Sequence, residues 1–528
     1  RRQRQMCIRD SQYADPVYND QSWEDIQLPH DWSIKLNFDH SISGSAAHLP
    51  GGIGWYRKAF IVPASYKNKS VSVLFDGIFH QSDVYINGKH LGFRPYGFCS
   101  IEYDLTPYLK YGEKNIISVR VDRSGKDNIA RWYTGSGIYR HAWLIVTNPM
   151  HVINNGTYVT TPEIDAQRAC VAVVTSLTNT SHQEETATLM QYILDKEGKV
   201  VAKSDNRKVT VQPKDTVDVT QQLNLENPVL WSIDTPSMYT MKTIVKIGRK
   251  TVDDYRTPFG VRTIEFTADR GFFLNGQQVK LKGLCLHQDA GALGTAVPDR
   301  SSERRLEILK EYGCNAIRCA HNQPSPEFLD MCDRMGFIVM DEAFDMWRQG
   351  HYKDDYGQYF DKLWKEDLYS MVARDRNHPC VIMWSIGNEI KNKETTEVVE
   401  VCRELTGFVK ALDTTRPVTA GVNSIVDATD DFLLPLDVCG YNYCLNRYEL
   451  DAKRHPDRII YASESYASQA YDYWKGVENH SWVIGDFIWT AFDYIGEASI
   501  GWCGSVSYTH LPAHETDQYL VCRLLLEK

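Results

Sequence analysis

The feature of this chain that most restricts its possible folds is a change of hydrophobic pattern near residue 266. Beyond it, short apolar runs alternate with amphipathic stretches, which is typical of strand–helix repeats in a parallel sheet. Eight strands are predicted, at 279–287, 316–321, 337–344, 381–390, 417–422, 437–443, 458–465 and 484–494. Eight strand–helix repeats predict a closed (β/α)8 TIM barrel over residues 266–505.

Two of the intervening helices have clear signals at their ends. One is predicted at 301–313, where serines and a glutamate open the helix and Gly313 closes it. A second is predicted at 394–412. The helix that should follow the eighth strand would begin near residue 505, where the pattern changes again, so we expect this barrel to lack its last helix.

The region before the barrel reads as two all-β domains. Residues 12–150 contain short alternating strands and an Asn87-Gly88 turn, and this pattern favours a jelly roll. Residues 151–265 contain strands at the spacing of an immunoglobulin-like sandwich. The loop 132–138 is rich in glycine and aromatic residues. It is either a turn that closes its own domain or a loop that reaches towards the cleft of another.

The two ends of the chain differ in character from the rest. Residues 1–11 and 506–528 resemble translated sequencing-library adapter sequence. We therefore expect both segments to be foreign to the natural protein, to pack poorly and to carry no site residue. On this interpretation the chain is a truncated natural sequence, and localisation is not assigned by any feature of it.

Composition and charge exclude several classes of protein. The net charge of −10 and the pI near 5.9 argue against a nucleic-acid partner. No apolar run is long enough to span a membrane. The 13 cysteines form no C-x-x-C pair, so metal clusters are not expected.

The candidate catalytic residues are two glutamates at corresponding places in the barrel. Glu389 follows the apolar run that begins at Val381, and Glu464 ends the predicted strand 458–465. The carboxyl ends of parallel barrel strands are where active sites are built. Two carboxylates at that end can flank a single bond, as glycoside hydrolysis requires.

Other polar side chains are predicted at the same end of the barrel. Each could be an ordinary buried or surface residue when it is considered alone, but most of the strands contribute one. The remaining candidates are His287, His321, Asn322, Asp341, Glu342, Asn388, Asn442, Tyr443, Trp489 and Asp493.

With these residues in this order, the chain resembles glycoside hydrolase family 2, which includes β-galactosidases, β-glucuronidases and β-mannosidases. The resemblance covers residues 20–504. It is carried by Leu28-Pro-His-Asp-Trp32, Gly135-Ser-Gly-Ile-Tyr-Arg140, Phe259-Gly-Val-Arg262, Arg318-Cys-Ala-His-Asn322, Trp384-Ser-Ile-Gly-Asn-Glu389 and Ser463-Glu464.

The resemblance implies a role for each candidate. Glu389 would be the general acid/base and Glu464 the nucleophile of a retaining exo-β-glycosidase. The other implied contacts are a bond from Asn388 to the sugar 2-hydroxyl, Tyr443 beside the nucleophile, and a sugar subsite lined by His287, His321 and Trp489. We also expect the general acid to carry a raised pKa, from burial and a negative neighbour.

The resemblance implies a β-galactosidase similar to gut-bacterial members, with periplasmic or secreted localisation compatible with it. The alternatives are a β-glucuronidase or β-mannosidase, or, outside enzymes, a non-catalytic carbohydrate-binding protein. The partner would be a β-linked oligosaccharide or glycoside, and a homo-oligomer is an open option. No cofactor is expected, because Met346 and Arg348 occupy positions where metal-dependent relatives have ligands.

Overall fold

The computed structural model describes residues 11–39, 41–125 and 129–492. The N-terminal unit has seven strands: β1 Gly52–Ile61, β2 Ser70–Phe75, β3 Ser82–Ile86, β4 Lys89–Arg94, β5 Ile101–Asp104, β6 Lys114–Arg123 and β7 Ala142–Thr147. They form antiparallel sheets in the orders β1-β6-β3-β4 and β5-β2-β7. Alternate apolar side chains such as Phe75 and Val119 pack in a common core.

The hairpin between β3 and β4 turns at the predicted Asn87-Gly88 pair. Both residues have positive φ, 49° and 81°. A two-residue turn of this type matches the twist of the strands it joins, and glycine adopts such a φ without steric cost. The prediction of a jelly roll is confirmed.

The second unit is a two-sheet antiparallel sandwich. Its strands are β8 Met150–Ile164, β9 Arg168–Asn179, β10 Glu185–Leu194, β11 Val200–Lys203, β12 Arg207–Val211, β13 Asp215–Glu226, β14 Tyr239–Ile247 and β15 Lys250–Phe259. One sheet has the order β13-β9-β8 and the other β11-β10-β14-β15, with β12 also paired to β10. Val173, Ile193 and Met241 are among the buried residues between them. The predicted immunoglobulin-like sandwich is confirmed.

A three-stranded sheet leads into the barrel, formed by β16 Ile264–Thr267, β17 Gly271–Leu274 and β18 Gln277–Gln278. The barrel strands are β19 Leu281–Leu286, β20 Ala316–Cys319, β21 Ile338–Glu342, β22 Val381–Asn388, β23 Val418–Val422, β24 Cys439–Asn442, β25 Ile460–Tyr466 and β26 Val483–Trp489. They pair in parallel in that order, and β26 pairs with β19 to close the barrel. The prediction of eight barrel strands is confirmed.

Helices lie between the barrel strands: α1 Asp299–Glu311, α2 Pro326–Met335, α3 Phe360–Asp375, α4 Thr396–Leu412, α5 Asp430–Leu433, α6 Tyr448–Arg454 and α7 Ala470–Asn479. Both helices predicted from their end signals are therefore present. No described helix is both long and apolar enough to cross a bilayer. Apart from Ser11, the adapter-like ends lie outside the described residues. The expected loss of the last helix also concerns positions outside them.

Strand β22 shows why the barrel places polar groups at one end. All eight of its residues are buried, which agrees with the unbroken apolar run from Val381 to Trp384. Burial of one such side chain stabilises the fold by about 1.5–3 kcal/mol. The strand ends at Asn388, so Glu389 comes directly after it, at the carboxyl end of the barrel.

Candidate active site

A buried arginine, Arg318 on β20, connects the polar groups at the carboxyl end of the barrel. Its Nη1 donates to Glu464 Oε1 over 2.7 Å, and its Nη2 donates to Glu342 Oε1 over 2.9 Å and to Asn388 Oδ1 over 2.8 Å. Its side chain has no solvent exposure. A buried guanidinium is stable only when carboxylates and acceptors surround it, so Arg318 fixes the positions of all three partners.

Asn442, at the end of β24, connects the two predicted catalytic glutamates to this cluster. Its Nδ2 lies 3.0 Å from Asn388 Oδ1 and 3.2 Å from Glu389 Oε1. Ser463, the neighbour of Glu464, donates its hydroxyl to Asn442 Oδ1 over 2.5 Å. The structure therefore brings Glu389 and Glu464 into one hydrogen-bonded network.

The N-terminal unit contributes a cation to the site. Arg131 Nη1 donates to Glu389 Oε2 over 2.7 Å, and its Nε donates to Asp345 Oδ2 over 2.9 Å. Asp345 also accepts from Asn388 Nδ2 over 3.1 Å. Burial alone would raise the pKa of Asp345, but the Arg131 guanidinium holds it well below its usual range. Sequence analysis identified neither Arg131 nor Asp345.

Four aromatic rings form a wall beside the glutamates. Trp132 stacks on His287 with ring centres 5.1 Å apart, and His321 stacks on Trp489 at the same separation. His287 also meets Trp489 edge to face at 5.1 Å. Trp132 belongs to the loop 132–138, so this loop reaches the barrel, in agreement with the second of its two interpretations.

The two histidines of this wall are neutral. Burial lowers the pKa of His287 to about 3 and lowers the pKa of His321 well below its usual value. His287 Nδ1 lies 2.6 Å from the carbonyl oxygen of Ala320, and His321 Nδ1 lies 2.8 Å from Glu342 Oε1. Each acceptor selects the tautomer with the proton on Nδ1, which leaves Nε2 of each ring as an acceptor.

Burial raises the pKa of Glu464 to about 7; the Arg318 guanidinium opposes this shift and the Glu389 carboxylate adds to it. The Tyr443 hydroxyl donates a hydrogen bond to Glu464 and stabilises its ionised form. A raised pKa is thus found at the predicted nucleophile, and the raised pKa expected at the acid stays a prediction. The side chain of Glu464 is 5% exposed, against 14% for Glu389, whose carboxylate meets Arg131.

Asp341 is one candidate that does not join the site. It precedes Glu342 on β21, and successive strand residues point to opposite faces. Its carboxyl lies near Asp375 at the end of α3, and burial together with that neighbouring carboxyl raises its pKa well above the usual value. Asp341 therefore contributes to packing between strand and helix. Asp493 lies outside the described residues.

The stretch after β21 does not fit a magnesium ion. Met346 is buried and offers only a thioether, which is a poor ligand for a hard cation. Arg348 is itself a cation and pairs with Asp361 and Glu397.

Comparison with known proteins identifies the family. The TIM barrel domain of glycosyl hydrolases family 2 matches residues 265–491, a second domain of the same family matches 152–262, and its sugar binding domain matches 9–149. The chain belongs to glycosyl hydrolase family 2.

Relatives of the chain include galactosidases and glucuronidases. A β-galactosidase from Bacteroides ovatus is 41% identical over 94% of this chain and 68% of its own length. A putative β-glucuronidase from Formosa agariphila is 34% identical over 91% of this chain and 50% of its own. The crystal structure of a family 2 member from Bacteroides cellulosilyticus superposes with a TM-score of 0.90 at 57% identity, over 93% of this chain and 64% of that one. The chain therefore spans about half to two thirds of these relatives.

Proposed function

We propose that this protein is a retaining exo-β-glycosidase that removes terminal β-linked galactose from oligosaccharides or glycosides. The observation that carries the proposal is the placement of Glu389 and Glu464 at one end of the barrel, joined through Asn442, Asn388 and Arg318. The Bacteroides ovatus relative, named a β-galactosidase, supports galactose as the sugar.

In the first step the Glu464 carboxylate attacks the anomeric carbon and forms a glycosyl–enzyme ester. The bond between that carbon and the leaving oxygen breaks, and Glu389 donates its proton to the leaving oxygen. Glu389 must therefore be protonated when the sugar is bound. Arg131, which donates to Glu389 Oε2, lies beside this proton-transfer group.

In the second step Glu389 acts as a base. It takes a proton from a water molecule, the water oxygen attacks the anomeric carbon, and the ester bond to Glu464 breaks. Two inversions leave the sugar with its original β configuration.

The remaining residues bind and orient the sugar. Asn388 is fixed by Arg318 and Asp345 and is placed to hydrogen-bond the 2-hydroxyl, an interaction that strengthens in the transition state. Tyr443 donates to Glu464 and orients it for attack. His287, His321 and Trp489 form the wall of the sugar subsite, against which the apolar face of the sugar packs.

The specificity is tested with matched nitrophenyl glycosides. The glucuronidase among the relatives makes β-glucuronide the second candidate substrate. We expect kcat/KM for nitrophenyl β-galactoside to exceed that for the β-glucuronide and the β-mannoside. A preference for the glucuronide would replace galactose in the proposal, and binding of galactosides without any hydrolysis would favour a carbohydrate-binding protein.

The pH dependence of the reaction should report the ionisation of Glu464. Because burial raises the pKa of this carboxyl to about 7, the nucleophile is protonated and inactive below that pH. We expect kcat/KM on nitrophenyl β-galactoside to rise with pH through about 7 as Glu464 becomes ionised. Initial rates from pH 4.5 to 9 measure this limb. An acid limb near the ordinary value of 4.5 would contradict the assignment.

A further inference from the structure

A polar cavity lies at the opposite end of the barrel from the candidate active site. Its volume is about 330 Å³, and it is bordered by the sandwich domain and by the segments that precede β22 and β23. Three arginines line it: Arg262, Arg376 and Arg416. Threonine hydroxyls make up much of the rest, and none of the described residues that line it is acidic.

The positive charge of this cavity is only partly neutralised. Arg416 pairs with Asp413 over 2.7 Å. In the part of the chain that the structure describes, neither Arg262 nor Arg376 has a carboxylate within ion-pair distance. Neither guanidinium therefore has a carboxylate partner among the described residues, although that of Arg376 lies 4.4 Å from the centre of the Tyr158 ring. A half-buried charge without a counter-ion is costly.

The hydrogen bonds of the two unpaired arginines leave donors free. Arg262 donates Nε to the carbonyl of Pro379 over 2.5 Å and Nη2 to that of Val381 over 2.7 Å, but its Nη1 makes no hydrogen bond with a described residue. Arg376 Nη1 reaches the carbonyl of Leu412 at 3.4 Å, and its Nε is buried without a partner. A buried donor without an acceptor indicates an absent ligand or water.

The electrostatics agree with this geometry. Burial, with the charge of Arg416 beside it, lowers the pKa of Arg262 to about 9. Burial also lowers the pKa of Arg376. Planar guanidinium groups bind phosphate and sulfate through paired N–H donors, and threonine hydroxyls add further donors.

We propose that this cavity is a binding site for a small tetrahedral oxyanion, inorganic phosphate or sulfate, held by Arg262 and Arg376 between the sandwich domain and the base of the barrel. The anion supplies the missing counter-charge at a junction of two domains. Its expected effect is on stability, because the site lies at the end of the barrel away from Glu389 and Glu464.

The test is thermal unfolding of the chain in sodium phosphate, in sodium sulfate and in sodium chloride at matched ionic strength. We expect 10 mM of at least one oxyanion to raise the melting temperature by roughly 2–4 °C over chloride. A response to one salt alone identifies the preferred anion. Equal melting temperatures in all three salts would overturn the proposal.

Variants locate the response. Arg376→Gln removes one of the two binding guanidinium groups and should abolish the rise. The matched control Arg403→Gln changes an exposed arginine on α4 whose one ion pair with a described residue is to Glu400, and it should keep the full rise. Retention of the rise in Arg376→Gln would place the anion elsewhere.

A second variant and a direct measurement remain decisive if Arg376→Gln does not fold. Thr161→Glu introduces a carboxylate into the cavity lining and should raise the melting temperature without phosphate while cancelling the response to it. Equilibrium dialysis of the unmodified chain with radiolabelled phosphate and with radiolabelled sulfate should show about one bound ion of the preferred anion per chain. Absence of bound ion in both arms counts against the site. Hydrolysis rates should not change with either salt.

Discussion

Glu464→Gln should lower kcat by about 10⁴-fold or more while leaving sugar binding nearly unchanged. The amide cannot attack the anomeric carbon, yet it can still accept a hydrogen bond from Arg318. Turnover of nitrophenyl β-galactoside gives the rate, and calorimetric titration with galactose gives the affinity. Glu394→Gln, an exposed glutamate five residues beyond Glu389, is the matched control and should keep full activity.

The stability of the same variant relative to the unsubstituted chain should rise with pH. The folded pKa of Glu464, about 7, lies above its usual value of 4.5, so the ionised carboxylate costs stability as the pH rises through 7. At low pH the residue is protonated in both the folded and the unfolded chain, so its ionisation then has no effect on the free energy of unfolding. At pH 8 the glutamine variant should gain up to about 2–3 kcal/mol relative to pH 5. If the inactive variant instead lost stability relative to the unsubstituted chain between pH 5 and pH 8, the substitution would have disrupted packing.

Glu389→Ala should show an effect that depends on the leaving group. For glycosides with poor leaving groups, loss of the general acid should lower kcat by about 10²–10⁴-fold. Dinitrophenyl β-galactoside needs no proton for departure, so its glycosyl–enzyme should still form and then hydrolyse slowly. Stopped-flow measurements should therefore show a burst of dinitrophenol.

Azide provides the control for this second prediction. A small anion can enter the space left by the glutamate side chain and attack the intermediate without a base. The steady-state rate should then recover, and the product should be β-galactosyl azide, detectable by mass spectrometry and NMR. If azide restored the rate of Glu464→Gln, or if Glu389→Ala gave an α-configured azide product, the assignment of Glu464 as nucleophile and Glu389 as acid/base would be wrong.

The barrel was predictable because its strands are short, apolar and separated by helical patterns. Val381 to Trp384 is buried as the unbroken run indicated, and the strand ends where glycine and polar residues begin. The placement of Glu389 follows directly from that ending. The sandwich domains were predictable for a similar reason, since alternation and a turn such as Asn87-Gly88 are local signals.

The parts that escaped prediction depend on contacts between distant segments. Arg131 meets Glu389 across 258 positions of chain, and no local pattern marks that pairing. Arg318 did leave a signal, because a charged residue within the short strand β20 must find buried partners. Asp341 was misplaced because strand alternation separates it from Glu342, although both are buried.

The loop that begins at Trp132, together with Arg131 just before it, has a consequence for anyone who recombines these domains. The barrel does not supply every residue of the candidate active site, because the Arg131 cation and the Trp132 ring come from the jelly roll. If the barrel were excised, or joined to a different N-terminal domain, the active site would lose or replace these residues even though no barrel residue had changed. Variation in that loop offers a route by which members of a family could acquire new substrates while their barrels stay constant.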